Sequence, residues 1–187
     1  MPLLRFFDWL ATTPGSVALH NSLYVYLIIS TVHVVTLALF VGTAAMLDLR
    51  LLGAALRDVP VTELAKRLRP LTVGGFVLML MSGALLFYAN PTPRYQNFFF
   101  RTKMMLLALA AVNAWIFHRT VYSRVSRWDH DARPPRPARI AGGISLAIWA
   151  AAILSGRMVA YDFFDCRRQA QQPAIVNVVL GCVGAPR

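Results

Sequence analysis

Residues 16–47 read SVALHNSLYVYLIISTVHVVTLALFVGTAAML, 32 positions without Lys, Arg, Asp or Glu. A run this long exceeds the roughly 20 apolar residues that cross the hydrocarbon core of a bilayer, so it predicts a membrane-spanning helix. Near its middle, inside Thr31-Val32-His33-Val34-Val35-Thr36, stands a single histidine. An ionisable side chain at that depth is costly and marks a candidate functional site. Three roles suit His33: a ligand to a metal or haem iron, a station on a proton path, or a structural hydrogen bond to a neighbouring hydroxyl.

The rest of the chain repeats the pattern. Of 187 residues, 57% are hydrophobic and 14% charged, and the mean hydropathy is +0.54, which excludes an ordinary soluble domain. Further uncharged runs cover Leu71–Pro93, Met104–His118 and Ile140–Gly156. The last two are short, but Arg101, Lys103, Arg119 and Arg157 have long stems that reach the headgroups. Lipid admits only helices or closed barrels, and no period-2 alternation recurs. The predicted fold is therefore all-α: an integral membrane four-helix bundle over residues 16–161, preceded by an interfacial amphipathic segment (1–15) and followed by an exported tail (162–187).

In the first segment, Leu3, Leu4, Phe6, Phe7, Trp9 and Leu10 are interrupted by Arg5 and Asp8 and closed by Thr12-Thr13-Pro14-Gly15. That pattern suits a short helix lying at headgroup depth rather than a cleaved signal. Net charge is +11, which in a membrane protein speaks of topology and not of nucleic acid. Eleven Lys and Arg fall in the connections 48–70 and 119–139, and eight on the opposite side. The positive-inside rule puts those connections in the cytoplasm and both termini outside, giving a multi-pass protein of the bacterial inner membrane with periplasmic ends. Cys166 and Cys182 then lie where a disulfide persists, and closing that loop would contribute about 3 kcal/mol in the chain-entropy picture. Two unrelated thiols are the alternative.

Between the spans, Asp48 and Arg50 read as interfacial anchors, with a role in a site as the alternative. Asp58-Val59-Pro60 reads as the start of a surface amphipathic helix over 61–68, capped by Asp58 with Pro60 in its first turn, and Pro70 as a bend into the second span. Gly74, Gly75 and Gly83 allow close packing of helices or of a flat cofactor. Phe98-Phe99-Phe100 with Arg101 and Lys103 forms an aromatic belt with basic anchors. The connection 126–137 is too rich in charge and proline to be buried in the membrane, and His130 is expected to be solvated there. The apolar patch 175–180 is too short to span and suits a small folded cap or a contact with a partner.

Spans one and three run in the same direction. Counting about 1.5 Å per residue from His20 and from Arg101 puts His33 and His118 at one depth. Ala111, Ala114, Trp115 and His118 share a face. Two imidazoles facing across small-residue helices are what bis-histidine haem ligation requires, and one haem b is the expected cofactor. Two independently hydrogen-bonded histidines are the alternative. Zinc is disfavoured because no carboxylate or thiolate lies at that depth. Arg157, near the outer surface, suits a fork onto a haem propionate or plain snorkelling. His20, at the outer end of span one, is a weaker candidate ligand, since it points about 140° away from His33 at 3.6 residues per turn and its only soft partners at that level are Met104 and Met105.

His33 with Leu39-Phe40-Val41-Gly42, then Leu47-Asp48-Leu49-Arg50-Leu51-Leu52-Gly53, Asn113 with His118, and Ser155-Gly156-Arg157 with Ala160-Tyr161 resemble an uncharacterised bacterial four-helix integral membrane family, over roughly residues 16–161. In outline the chain also resembles the transmembrane b-type cytochromes and the copper-resistance membrane domain. The likeness to b-type cytochromes implies haem and electron transfer between a quinone pool and a membrane or periplasmic redox partner. The chain lacks the four histidines at paired depths of their two-haem pattern.

Three functions follow as expectations: a b-type cytochrome-like electron carrier with His33 and His118 as axial ligands, a non-enzymatic structural subunit of a larger membrane complex, and copper handling through Met79, Met81, Met104 and Met105. No nucleophile and base pair, phosphate-cradling loop or intramembrane carboxylate pair points to catalysis, so an electron-transfer or accessory subunit is expected rather than an enzyme by itself.

Overall fold

The computed structural model describes residues 2–161 and 164–182. Every regular element among them is helical: α1 (Pro2–Ala11), α2 (Pro14–Asn21), α3 (Leu23–Leu52), α4 (Val61–Ala89), α5 (Pro91–Tyr95), α6 (Phe98–Ile116), α7 (Arg136–Ala160) and α8 (Ala174–Leu180). A π turn (Phe117–Val121) and a 3-10 turn (Tyr122–Arg127) prolong α6, and a second 3-10 turn covers Cys166–Gln171. Four helices are long and apolar enough to cross a membrane: Leu23–Leu52, Val61–Ala89, Phe98–Arg127 and Arg136–Ala160. The four expected spans are present.

Their ends differ from the hydropathy runs. The first run is two helices, because Ser22 is extended (φ −85°, ψ 98°); its Oγ accepts the Val25 amide at 3.4 Å, which starts α3 afresh. The surface helix expected at 61–68 is the first part of α4, which continues through Pro70. Proline there removes one intrahelical hydrogen bond, and the helix tolerates that loss. Gly53 ends α3 at φ +70°, with its amide on Arg50 O and the Ala54 amide on Leu49 O, both at 3.0 Å, a Schellman closure that a residue without Cβ permits.

The chain divides into two compact units. One comprises residues 1–31, 82–105 and 152–187. Here Phe7 of α1 packs on Phe87 and Tyr95 with ring centroids 5.4 and 4.8 Å away, and buried Ser16 donates to Tyr88 O at 2.7 Å. Asn97 is buried, and its Oδ1 accepts the Phe100 amide at the start of α6. The Cys166–Cys182 disulfide is formed, and Arg101 donates to Tyr95 O, Val179 O and Leu180 O, which pins α8. The expected tail is described from 164 to 182; its other positions lie outside the described residues.

The second unit comprises residues 32–81 and 106–151. Within it α3 meets α4 where a Cβ on Gly75 would lie 3.2 Å from Phe40 N and where Thr72 donates to Thr43 at 2.9 Å. It meets α7 at Gly142 and where Phe40 abuts Trp149, with centroids 4.8 Å apart. Asn113 of α6 donates to Ala141 O of α7 at 3.1 Å. An apolar core of Leu51, Val61, Phe117, Trp128 and Ala138 closes this unit. Trp128 belongs to the charged connection between the third and fourth spans; its ring is buried although its neighbours are charged.

The first turn of α4 is capped from a distance. Asp58 is exposed, Pro60 precedes the helix and accepts the Leu64 amide, and the capping carboxylate is that of Asp129. Its Oδ1 accepts the Thr62 amide at 2.8 Å and its Oδ2 the Thr62 hydroxyl at 2.5 Å. Desolvation pushes the Asp129 carboxyl up, but the two Thr62 bonds, the charge of His130 and the Val61 amide outweigh it and hold it below 3.8. A depressed carboxylate stabilises the fold above its unfolded value and loses that contribution as pH falls through its folded value. Replacement Asp129→Ala is therefore expected to lower stability by about 1 kcal/mol at pH 7, as for other helix caps, with the gap to the parent narrowing as pH falls below 3.8. Thermal unfolding of both proteins at pH 7 and pH 3 checks this; a gap that stays constant contradicts it.

Candidate functional site

His33 is half-buried on α3. Its Nδ1 lies 3.1 Å from Met79 O on α4, and since a carbonyl only accepts, Nδ1 carries the proton and donates. His118 sits elsewhere, on the π turn, exposed, with its ring 5.8 Å from that of Phe117 and 5.2 Å from that of Tyr122. Phe117 clusters with Leu51, 18 residues beyond His33 along the unbroken α3. At 1.5 Å per residue the two histidines stand on levels about 27 Å apart. A metal–imidazole bond is about 2 Å long, so two axial rings on one ion lie within about 4 Å. The structure does not bring His33 and His118 together, and they do not fit a single haem.

The expected match of depths fails for a definable reason. The count from His20 and Arg101 treats those residues as one level, yet the spans begin at Leu23 and Phe98, so His33 lies 10 and His118 20 residues beyond their starts, and nothing in hydropathy requires those starts to share a depth. His20 belongs to α2, ahead of the Ser22 break, and is exposed. Arg157 is exposed and turned onto its own helix, with Nη2 donating to the Tyr161 hydroxyl at 3.0 Å and the guanidinium 5.0 Å from that ring. Among the described residues no three of His, Cys, Asp and Glu gather closely enough to hold a metal ion. Met79 is buried, whereas Met81, Met104 and Met105 are exposed.

The strongest polar constellation is one that hydropathy assigns to the surface. Arg50 is fully buried at the end of α3. Its Nε donates to Val59 O at 2.6 Å, and its Nη2 to Asp131 O at 3.1 Å and Asp129 O at 3.3 Å. One guanidinium thus collects carbonyls from two connections; of these, Asp129 O also accepts the Val61 amide at 3.3 Å. Asp48 is also buried, on the side of α3 that faces Ser145 of α7. Two positions apart on a helix, the two side chains diverge, and they do not pair. Among the described residues, Asp48 Oδ2 and Arg50 Nη1 have no hydrogen-bond partner. The available signal was the Asp-Leu-Arg order itself: opposite charges flanking a leucine at a helix end suit two different faces.

These features define an all-helical, multi-pass membrane protein whose polar residues join helix ends and connections. The chain belongs to the DUF6644 family, a family of unknown function, whose pattern matches residues 6–162. No curated protein and no solved structure matches it.

Proposed function

We propose that this chain is a non-enzymatic subunit of a larger membrane complex, held in the bacterial cytoplasmic membrane with both termini periplasmic, and that its C-terminal cap grips a neighbouring protein. The observation that carries the reading is α8. Ile175, Val178 and Val179 are 72%, 69% and 51% exposed, at the i, i+3, i+4 spacing that makes one helical face. A seven-residue helix does not hold itself in water. This one is fixed by the Cys166–Cys182 disulfide and by Arg101 on its last carbonyls, a pre-ordered apolar face. The disulfide supports an oxidising compartment for the tail, in agreement with the excess of basic residues in the connections 48–70 and 119–139.

The test is association in mild detergent. The parent chain is expected to migrate with a second protein, and the variant with Ile175→Ser, Val178→Ser and Val179→Ser to migrate alone while keeping its helical circular dichroism. A photo-crosslinker at Val178 should label that protein. A parent that runs as a lone monomer, or labelling of lipid only, defeats the proposal.

A further inference from the structure

At the membrane end where α3 stops and α7 starts, an open groove of about 330 Å³ is lined by Leu52, Arg136, Arg139 and Ile140. Leu52 is the last residue of α3, Arg136 the first of α7, and the two helices touch there, with the Leu52 Cδ2 3.7 Å from where a Cβ on Gly143 would sit. Arg136, Arg139 and Ile140 follow i, i+3, i+4 and so share one face of α7. Both arginines are exposed, and among the described residues neither guanidinium has a carboxylate or carbonyl partner. The first turn of α7 contains no acidic residue. Beside the two positive charges, Ile140 is 61% exposed.

A paired-guanidinium floor against an aliphatic wall, placed where spans leave the hydrocarbon, matches one kind of ligand. We propose that this groove binds the phosphate headgroup of an anionic phospholipid, with Arg136 and Arg139 forking onto phosphate oxygens and Leu52 and Ile140 against the glycerol and upper acyl chain. Basic pockets between membrane helices recognise such headgroups through added charge and hydrogen bonding. The two guanidiniums give the site its selectivity over zwitterionic lipid, whose choline neutralises the charge they seek. This assignment stands apart from the α8 contact, and either is open to refutation without the other.

The experiment uses the full chain, delipidated in detergent, with its melting temperature followed on addition of phosphatidylglycerol, phosphatidylcholine or inorganic phosphate. Phosphatidylglycerol is expected to raise it in a saturable way and phosphatidylcholine not to. Each of Arg136→Gln and Arg139→Gln is expected to weaken the apparent affinity on the order of tenfold, the scale of one lost charge-assisted hydrogen bond. The nearby exposed Arg133→Gln should leave it unchanged. Because all three side chains are exposed, the variants should fold as the parent does, which their unliganded melting temperatures verify. Equal stabilisation by phosphatidylcholine, full stabilisation by inorganic phosphate alone, or an unchanged response in the Arg136→Gln, Arg139→Gln double variant overturns the proposal.

Discussion

Replacing Arg50 by Met is expected to be among the most damaging single changes in the protein. The substitution keeps much of the aliphatic stem and removes the guanidinium, so Val59 O and Asp131 O lose that donor together, while Asp129 O keeps the Val61 amide. A hydrogen bond to a charged group contributes about 1.5–3 kcal/mol, and a buried acceptor left alone bears its desolvation in full. Counting only the two shorter bonds at the lower value gives a loss of at least about 3 kcal/mol, or roughly 6–12 °C in melting temperature for a chain of this size. Arg50→Lys is expected to recover less than half, because an ammonium is a point donor and cannot reach carbonyls on two connections at once. The comparison is Arg57→Met. Arg57 is exposed and, among the described residues, donates only to Gly53 O, four residues away, so its loss should be close to neutral, as surface changes usually are. Fluorescence-detected size exclusion after a temperature ramp reads all three. A loss under about 1 kcal/mol for Arg50→Met would show that the buried guanidinium is not what holds the two connections.

The second large effect is expected at Gly142. A Cβ there would lie 3.0 Å from Asp48 O and 3.2 Å from Leu51 Cβ, and a helix backbone cannot yield as a side chain can. Gly142→Ala should destabilise by about 1–3 kcal/mol, the usual range for an overfilled core, and Gly142→Leu should exceed that range and prevent α7 from seating on α3. The adjacent glycine gives the contrast. At Gly143 the nearest atom to a Cβ is Leu52 Cδ2 at 3.7 Å, ordinary contact with the end of a flexible side chain. Gly143→Ala should be neutral or mildly stabilising, since alanine favours a helix over glycine by about 1 kcal/mol. Yield of monodisperse protein and its melting temperature separate the two; equal behaviour of Gly142→Ala and Gly143→Ala would refute the close approach of α3 and α7.

Long-range hydropathy made the four spans legible, and the compartment argument made the Cys166–Cys182 bridge legible, because both depend on composition over many residues. What escaped depends on where one helix stands against another. Nothing in Gly142-Gly143 says which glycine faces α3. Nothing in Trp128-Asp129-His130-Asp131 says that a ring from a charged connection completes the core while its neighbour caps a helix begun 67 residues earlier. The histidine pair failed for the same reason. Spans of 30 residues, about 45 Å long, exceed the roughly 30 Å hydrocarbon core, so each can slide by several residues before hydropathy objects. Arg50 was misplaced by a sound rule: a basic residue at a helix end normally reaches for water, and here it reaches for carbonyls.

The Asp129 cap also bears on biogenesis. Thr62 leaves the ribosome 67 residues before the carboxylate that will receive its amide, and at 5–20 residues per second the wait is roughly 3–13 s. Throughout that interval the Thr62 amide is without its carboxylate and Arg50 has met only the nearer of its two connections, so the order of synthesis fixes which carbonyls and amides must wait.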